Sequence, residues 1–237
     1  MPLINIYSFT SPGPRATNQD AILVCDIPDR GLLCCVADGV GGNQGGETAS
    51  KMAVDIISKT LENDLSVAFA DVVRFAHEEI LNAAEKDGEL AGMATTLTAV
   101  IIKDMQLEAI NCGDSRTYLL RGNGLMQLSQ DHSEVARLLR EGRLTAEAAV
   151  DYPRKNILES ALGAHKPLKL YQTLFELEPD DRIVLISDGV SSVLSKRELR
   201  DISKKHQNLD DFGAELAKRT QEMKTKDNYS IIAVEIV

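Results

Sequence analysis

The sequence predicts an α+β fold in which two mainly antiparallel sheets lie face to face with helices outside them. Three observations lead there. Strand-like runs come in consecutive groups joined by short turns, which suits antiparallel ladders. Helical runs are grouped apart from the strands instead of alternating with them, which favours a layered fold over βαβ units. The runs "LLCCVA" (32–37) and "RIVLIS" (182–187) are apolar at successive positions, so both faces of those strands need cover.

The elements follow in order. Residues 21–27 ("AILVCDI") and 31–37 ("GLLCCVA") are apolar runs separated by "PDR" and predict a hairpin. From Glu47 the period changes: Ala49, Met52, Ala53, Ile56, Ile57 and Leu61 recur at helical spacing, and Phe69, Val72, Val73, Ala76, Ile80 and Ala83 repeat the signal, giving two helices. Strands return at 95–102, 106–112, 115–120 and 124–129, short, β-branched or alternating. Residues 133–142 read as a helix stopped by Gly142, and 145–150 as a shorter one. Strands at 170–177, 181–187 and 229–237 complete the sheets, with helices at 195–205 and 209–223 between the last two. Ser195 and Glu198 form a capping-box pair at the start of the first of these. No linker, low-complexity block or fixed-period repeat divides the chain, so residues 1–237 are read as a single domain.

Composition narrows the function. The 237 residues carry a net charge of −10 and a pI near 4.9, which argues against nucleic acid and anionic membranes as partners. An anionic substrate would need a local positive charge, and bound cations would supply it. The four cysteines, Cys25, Cys34, Cys35 and Cys112, lie in or beside apolar runs without CxxC spacing and are expected to be buried thiols of a reducing compartment. The first ten residues lack the pattern of a signal peptide, and no apolar run approaches the ~20 residues of a membrane span. The expectation is a cytoplasmic monomer.

Four aspartates carry the chemistry. Asp38 follows "LLCCVA", Asp114 follows "AINCG", Asp188 follows "RIVLIS", and Asp227 precedes "NYSIIAVEI". Each stands at the end of an apolar strand. Singly, Asp-Gly after a strand is an ordinary turn. Together, if the strand ends converge on one rim, the carboxylates repel one another unless something positive sits among them. The four histidines are scattered and no zinc spacing occurs. All-oxygen ligation favours Mg²⁺ or Mn²⁺, and a glycine at 39 leaves its backbone carbonyl available as a further ligand.

Eight segments in order then resemble the metal-dependent protein serine/threonine phosphatases of the PP2C (PPM) family in compact bacterial form: "RATNQDA" (15–21), "VADGVGG" (36–42), "GMATTLTAV" (92–100), "NCGDSRTYLL" (111–120), "LSQDHS" (128–133), "ILESALG" (157–163), "RIVLISDGV" (182–190) and "KDNYSIIAVEI" (226–236). The resemblance implies a four-layer α-β-β-α sandwich and hydrolysis of phosphoserine or phosphothreonine by a water activated between two Mn²⁺ or Mg²⁺ ions. It implies that Asp38 bridges the two ions, that the Gly39 carbonyl binds the first, and that Asp188 and Asp227 hold the second. By the same match Asp114 helps hold a third, looser ion. Asp20 is an acid contacting waters around the metals, and Arg15 grips the substrate phosphate. A guanidinium suits that last role because it donates two parallel hydrogen bonds. The implied partners are phosphorylated proteins, with a cognate Ser/Thr kinase or a secretion-system component as associates.

The chain departs from the family pattern in places. Val40 stands where some members carry histidine, so the proton donor to the leaving group is unassigned. Ala94 replaces a usual glycine, and Tyr152 a common histidine. His132 is read as structural, and Ser187, Ser191 and Ser192 as non-nucleophiles for want of a histidine partner. The charged stretch 137–156 reads equally as a flap contacting phosphopeptide and as solvated helix charge. Two rivals remain: a phosphoprotein-binding module without catalysis, which a missing metal acid would favour, and a two-metal nuclease, against which the acidic surface speaks.

Overall fold

In the computed structural model, residues 3–40 and 45–237 are described. The sequence expectation for Gly41 and Gly42 lies outside them. The strands are β1 (Ile4–Ser11), β2 (Asp20–Ile27), β3 (Gly31–Val40), β4 (Ala94–Thr95), β5 (Leu97–Lys103), β6 (Gln106–Cys112), β7 (Arg116–Arg121), β8 (Gly124–Gln127), β9 (Tyr171–Glu176), β10 (Arg182–Ile186) and β11 (Tyr229–Ile236). The helices are α1 (Gly45–Asn63), α2 (Phe69–Lys86), α3 (Glu134–Arg140), α4 (Ala146–Val150), α5 (Asp188–Ser191), α6 (Lys196–Lys205) and α7 (Leu209–Glu222). One sheet runs β1-β11-β10-β7-β8. The other runs β2-β3-β5-β6-β9, with β4 paired to the end of β3. Every pairing is antiparallel.

Three apolar layers hold the four structural layers together. Cys35, Ala37, Leu97, Ala99 and Ile110 face α1 and α2, meeting Ala53, Ile57, Val73, Ala76 and Ile80. Cys34, Val36, Val100 and Leu107 face the other sheet, meeting Ile183, Leu185, Ile232 and Val234. On that sheet's far side Val184, Ile186, Ile231 and Ala233 pack on Leu199, Phe212 and Leu216 of α6 and α7. The alternation is the strand period of two. It puts neighbouring Cys34 and Cys35 in different layers. All four cysteines are free thiols, and burial pushes the Cys112 thiol up to about 12. Among the described residues no helix is long and apolar enough to cross a membrane.

Three local features differ from the sequence expectation. Residues 4–11 form the edge strand β1, paired along its whole length with β11, although their half-exposed alternation gives only a weak period-two signal. The expected strand 95–102 is broken at Thr96 into β4 and β5. Asp38 lies within β3, which continues through Gly39 to Val40 because Gly39 and Val40 pair with Thr95 and Ala94. The "DG" here is therefore extended strand, not a turn.

Candidate active site

The site forms where strand ends of both sheets meet. Asp38 is fixed by its own backbone: its N–H donates to Thr96 Oγ1 at 3.0 Å, and its carbonyl accepts from Thr95 Oγ1 at 3.0 Å and from the Thr96 N–H at 2.8 Å. The break at Thr96 makes this grip. Gly39 is obligatory by packing, since a Cβ there would overlap the carbonyl of Gly46 in α1. Asp114 sits in the β6–β7 turn, after Gly113 at φ +98, where a Cβ would stand 2.7 Å from Thr96 Cβ. Asp188 opens α5 directly after β10, and Asp227 precedes β11.

Asp20 bridges the sheets. It opposes Asp38 in the β2–β3 register, and its Oδ2 accepts from Ser187 Oγ at 2.8 Å and Ser230 Oγ at 2.7 Å on the other sheet. Ser187 is thus a structural donor, in line with its reading as a non-nucleophile. Asp20 Oδ1 is buried and has no hydrogen-bond partner among the described residues.

A pocket of about 520 Å³ is lined by Arg15, Asp38, Gly39, Asp114, Asp188 and Asp227, together with Gln19, Thr96, Asn156, Leu158 and Asn228 among others. Six of the seven singled-out residues therefore share one cavity, and Asp20 stands behind it. Burial drives the electrostatics. Desolvation, then repulsion from Asp20, Asp188 and Asp114, raises Asp38 well above the usual carboxylate range. Asp188 is raised by desolvation and then by Asp227. Asp20 is pushed up to about 6 and Asp114 to about 7, each mainly by desolvation and then by neighbouring carboxylates.

Asp227 is turned elsewhere. Its Oδ2 accepts from Arg15 Nη2 at 2.9 Å, and its Oδ1 from the Asn228 N–H at 2.9 Å. Arg15 also donates through Nε to the Lys226 carbonyl at 2.9 Å. No three Asp, Glu, His or Cys side chains among the described residues close on one point as a complete ligand shell. The site is an open arc of oxygens. Its chemistry still fits hard divalent cations: oxygen-only donors, mutually repelling buried carboxylates, and an orphaned acceptor on Asp20 all call for positive charge.

The sequence reading missed Asn228. Its Nδ2 donates to the carbonyls of Pro12 at 2.8 Å and Thr17 at 2.9 Å, and its Oδ1 accepts from the Gln19 N–H at 2.8 Å. It ties the Arg15 loop to β11. The available signal was a buried-strand start, "DNYS", carrying an amide able to both donate and accept. Leu158 and Asn156 were covered only within the stretches 157–163 and 137–156, without roles of their own. His132 behaves as expected: Nδ1 accepts from the Gly113 N–H at 3.3 Å and the backbone pairs with Gly113 and Glu159.

Residues 15–228 match the family Protein phosphatase 2C, and the chain belongs to that family. It is 33% identical over 229 residues to the serine/threonine phosphatase stp of Listeria welshimeri, covering 93% of this chain and 91% of that protein. Among solved structures it resembles the serine/threonine phosphatase Stp1 from Staphylococcus aureus, with a TM-score of 0.93, 25% identity, and coverage of 99% and 96%. It also resembles the catalytic domain of the phosphatase PstP in complex with 2 manganese ions, with a TM-score of 0.85, 28% identity, and coverage of 99% and 98%.

Proposed function

We propose that this chain is a protein serine/threonine phosphatase that hydrolyses phosphoserine and phosphothreonine monoesters set by a Ser/Thr kinase. One observation carries the reading: carboxylates from four distant segments share one pocket with an arginine at its edge. The manganese of the related PstP structure supports the same assignment of metals here. Asp38, the Gly39 carbonyl, Asp188 and Asp227 would hold two Mn²⁺ or Mg²⁺ ions, and Asp114 a third. Bound there, such ions supply Lewis acidity to the phosphoryl oxygens and make a water nucleophilic at neutral pH.

The chain's own residues do the rest. Arg15 binds and orients the phosphate. Its Nε and one Nη2 donor are fixed by Lys226 and Asp227, while its Nη1 donors have no partner among the described residues. Such a preset guanidinium stabilises charge on equatorial oxygens at small reorganisation cost. Asn228 holds that loop in place. Asp20, pinned by two serines through Oδ2, keeps Oδ1 as a buried acceptor without a partner among the described residues. Val40 offers no proton to the leaving group.

The test is Mn²⁺-dependent hydrolysis of p-nitrophenyl phosphate and of a phosphothreonine peptide. Both should stop with EDTA and in Asp188→Ala. Turnover that survives both treatments would refute the assignment.

A further inference from the structure

Beside the acid pocket lies a cationic cluster that the reaction does not use. Arg116, on β7, follows Asp114 by two residues, and its charge is felt by Asp114 and Asp188. It is held by Asp131, whose Oδ2 accepts from Nε at 2.9 Å and from Nη2 at 2.6 Å. Gln127 Nε2 donates to Asp131 Oδ1 at 2.8 Å, and Arg140 Nη1 to the Asp131 carbonyl at 3.0 Å. Lys196, the first residue of α6, lies over the Tyr118 ring with Nζ 5.9 Å from its centre. Arg116 Nη1 donates to the Tyr118 hydroxyl at 3.4 Å.

Charge at this spot does not balance. Asp131 neutralises one of three cations, Arg116. Lys196 and Arg140 meet no carboxylate at ion-pair distance among the described residues. Several other cations of this region do: Arg137 pairs with Glu159 and Glu141, Arg154 with Glu134, and Lys169 with Glu159, while Lys155 and Lys166 donate to the carbonyls of Val150 and Leu158 instead. Lys196 is placed against local energetics. It is a cation in the first turn of a helix, where the macrodipole disfavours it, and it sits beside Arg116. Desolvation and Arg116 together push its ammonium below the usual lysine range. Arg116 and Arg140 have structural uses, holding Asp131 and closing the last turn of α3, but nothing in the fold accounts for a cation at position 196.

We propose that Lys196 and Arg140, on either side of the Arg116–Asp131 pair, form a docking subsite for a second anionic group on the phosphoprotein substrate, a carboxylate or another phosphate near the scissile one. The subsite rests on the phosphatase reading above and adds a substrate class to it: phosphosites in acidic or multiply phosphorylated segments. A substrate anion there gains two cations whose charge the fold leaves uncompensated. It also extends the electrostatic attraction of an otherwise acidic protein for an anionic ligand.

The experiment compares kcat/KM for phosphothreonine peptides with neutral flanks, with glutamate placed at successive flanking positions, and with a second phosphoserine at the same positions. The parent protein should prefer the best-placed glutamate peptide by about fivefold, and the doubly phosphorylated one by more. The preference should shrink as salt rises above about 0.15 M, where the Debye length is about 8 Å. In Lys196→Glu the preference should vanish or invert, while p-nitrophenyl phosphate turnover is unchanged. That variant puts an acid at a helix N-terminus, so its melting temperature should not fall. Lys196→Met, which keeps the stem over Tyr118, should lose the preference without inverting it. A gain with phosphoserine alone identifies a second phosphate, and a gain with both identifies acidic flanks generally. Binding of the same peptides by fluorescence polarisation tests docking independently of turnover. Equal kcat/KM and equal binding for flanked and neutral peptides, or a preference that persists in Lys196→Glu, would overturn the subsite while leaving the phosphatase intact. Failure of the parent on p-nitrophenyl phosphate would instead overturn the phosphatase reading.

Discussion

Arg15 and Asp227 touch each other, and that contact sets what each can do alone. Arg15 is exposed, so its ion pair contributes little to stability. Its value is orientation. Arg15→Ala should raise KM for a phosphopeptide by about tenfold and lower kcat less, since substrate binding loses a preset partner. Steady-state kinetics checks this, and an unchanged KM would remove Arg15 from the phosphate site. At this scale the sequence was informative where residue type is tied to chemistry. Asp38, Asp114, Asp188 and Asp227 could be singled out because four acids at the ends of apolar strands, each alone an ordinary turn residue, together call for a cation, and the structure brings them to one pocket. The side-chain direction of Asp227, toward Arg15, was not legible, because nothing local encodes a contact between residues so far apart in the chain.

Elements explain why the acids converge. β3 ends sheet-deep instead of turning, since Gly39 fits under α1 and pairs with Thr95. The β6–β7 turn needs the positive φ of Gly113, which passes close against Thr96 just before Asp114. The Arg15 loop, between β1 and β2, depends on Asn228. Asn228→Ala deletes three hydrogen bonds to that loop, two of them donated by a buried amide. It should cost about 2 kcal/mol of stability and raise KM in the same direction as Arg15→Ala. Denaturant unfolding and kinetics together check it; a stable variant with an unchanged KM would mean the loop holds itself. The hairpin, helices and central strands were readable from period alone. The edge strand β1 was not, because one face of it is half-exposed and its order comes from pairing with β11 at the other end of the chain. The break at Thr96 was likewise invisible, since it answers to Asp38 and not to its own neighbours.

At the scale of the molecule, the fold spends stability to hold like charges together. Asp20 and Asp114 have folded-state values of about 6 and about 7, above those of an unfolded aspartate, and Asp38 is likewise raised well above the usual carboxylate range by desolvation and then by neighbouring carboxylates. Raised values mean that the folded state binds the extra protons. The stability these groups allow is therefore complete below about pH 4 and is lost as pH rises through 6 and 7. Metal-free protein in EDTA should melt at progressively lower temperature from pH 5 to pH 8. Asp38→Asn should flatten that decline and melt higher at pH 8. Differential scanning calorimetry across the range decides it, and a melting temperature that rises toward pH 8 would contradict the burial of ionised acids. The layered architecture was legible from strand grouping and two-faced apolar runs. The strength of the charge cluster was not, because it depends on how closely the two sheets bring their ends.

The account stands most directly on whether this arc of carboxylates binds divalent ions. Isothermal titration of the EDTA-stripped protein with Mn²⁺ measures it. Two ions should bind to the parent protein, and both Asp38→Asn, at the shared position, and Asp188→Asn should weaken or abolish that uptake while remaining folded. Equal stoichiometry and affinity in the parent and in both variants would contradict it.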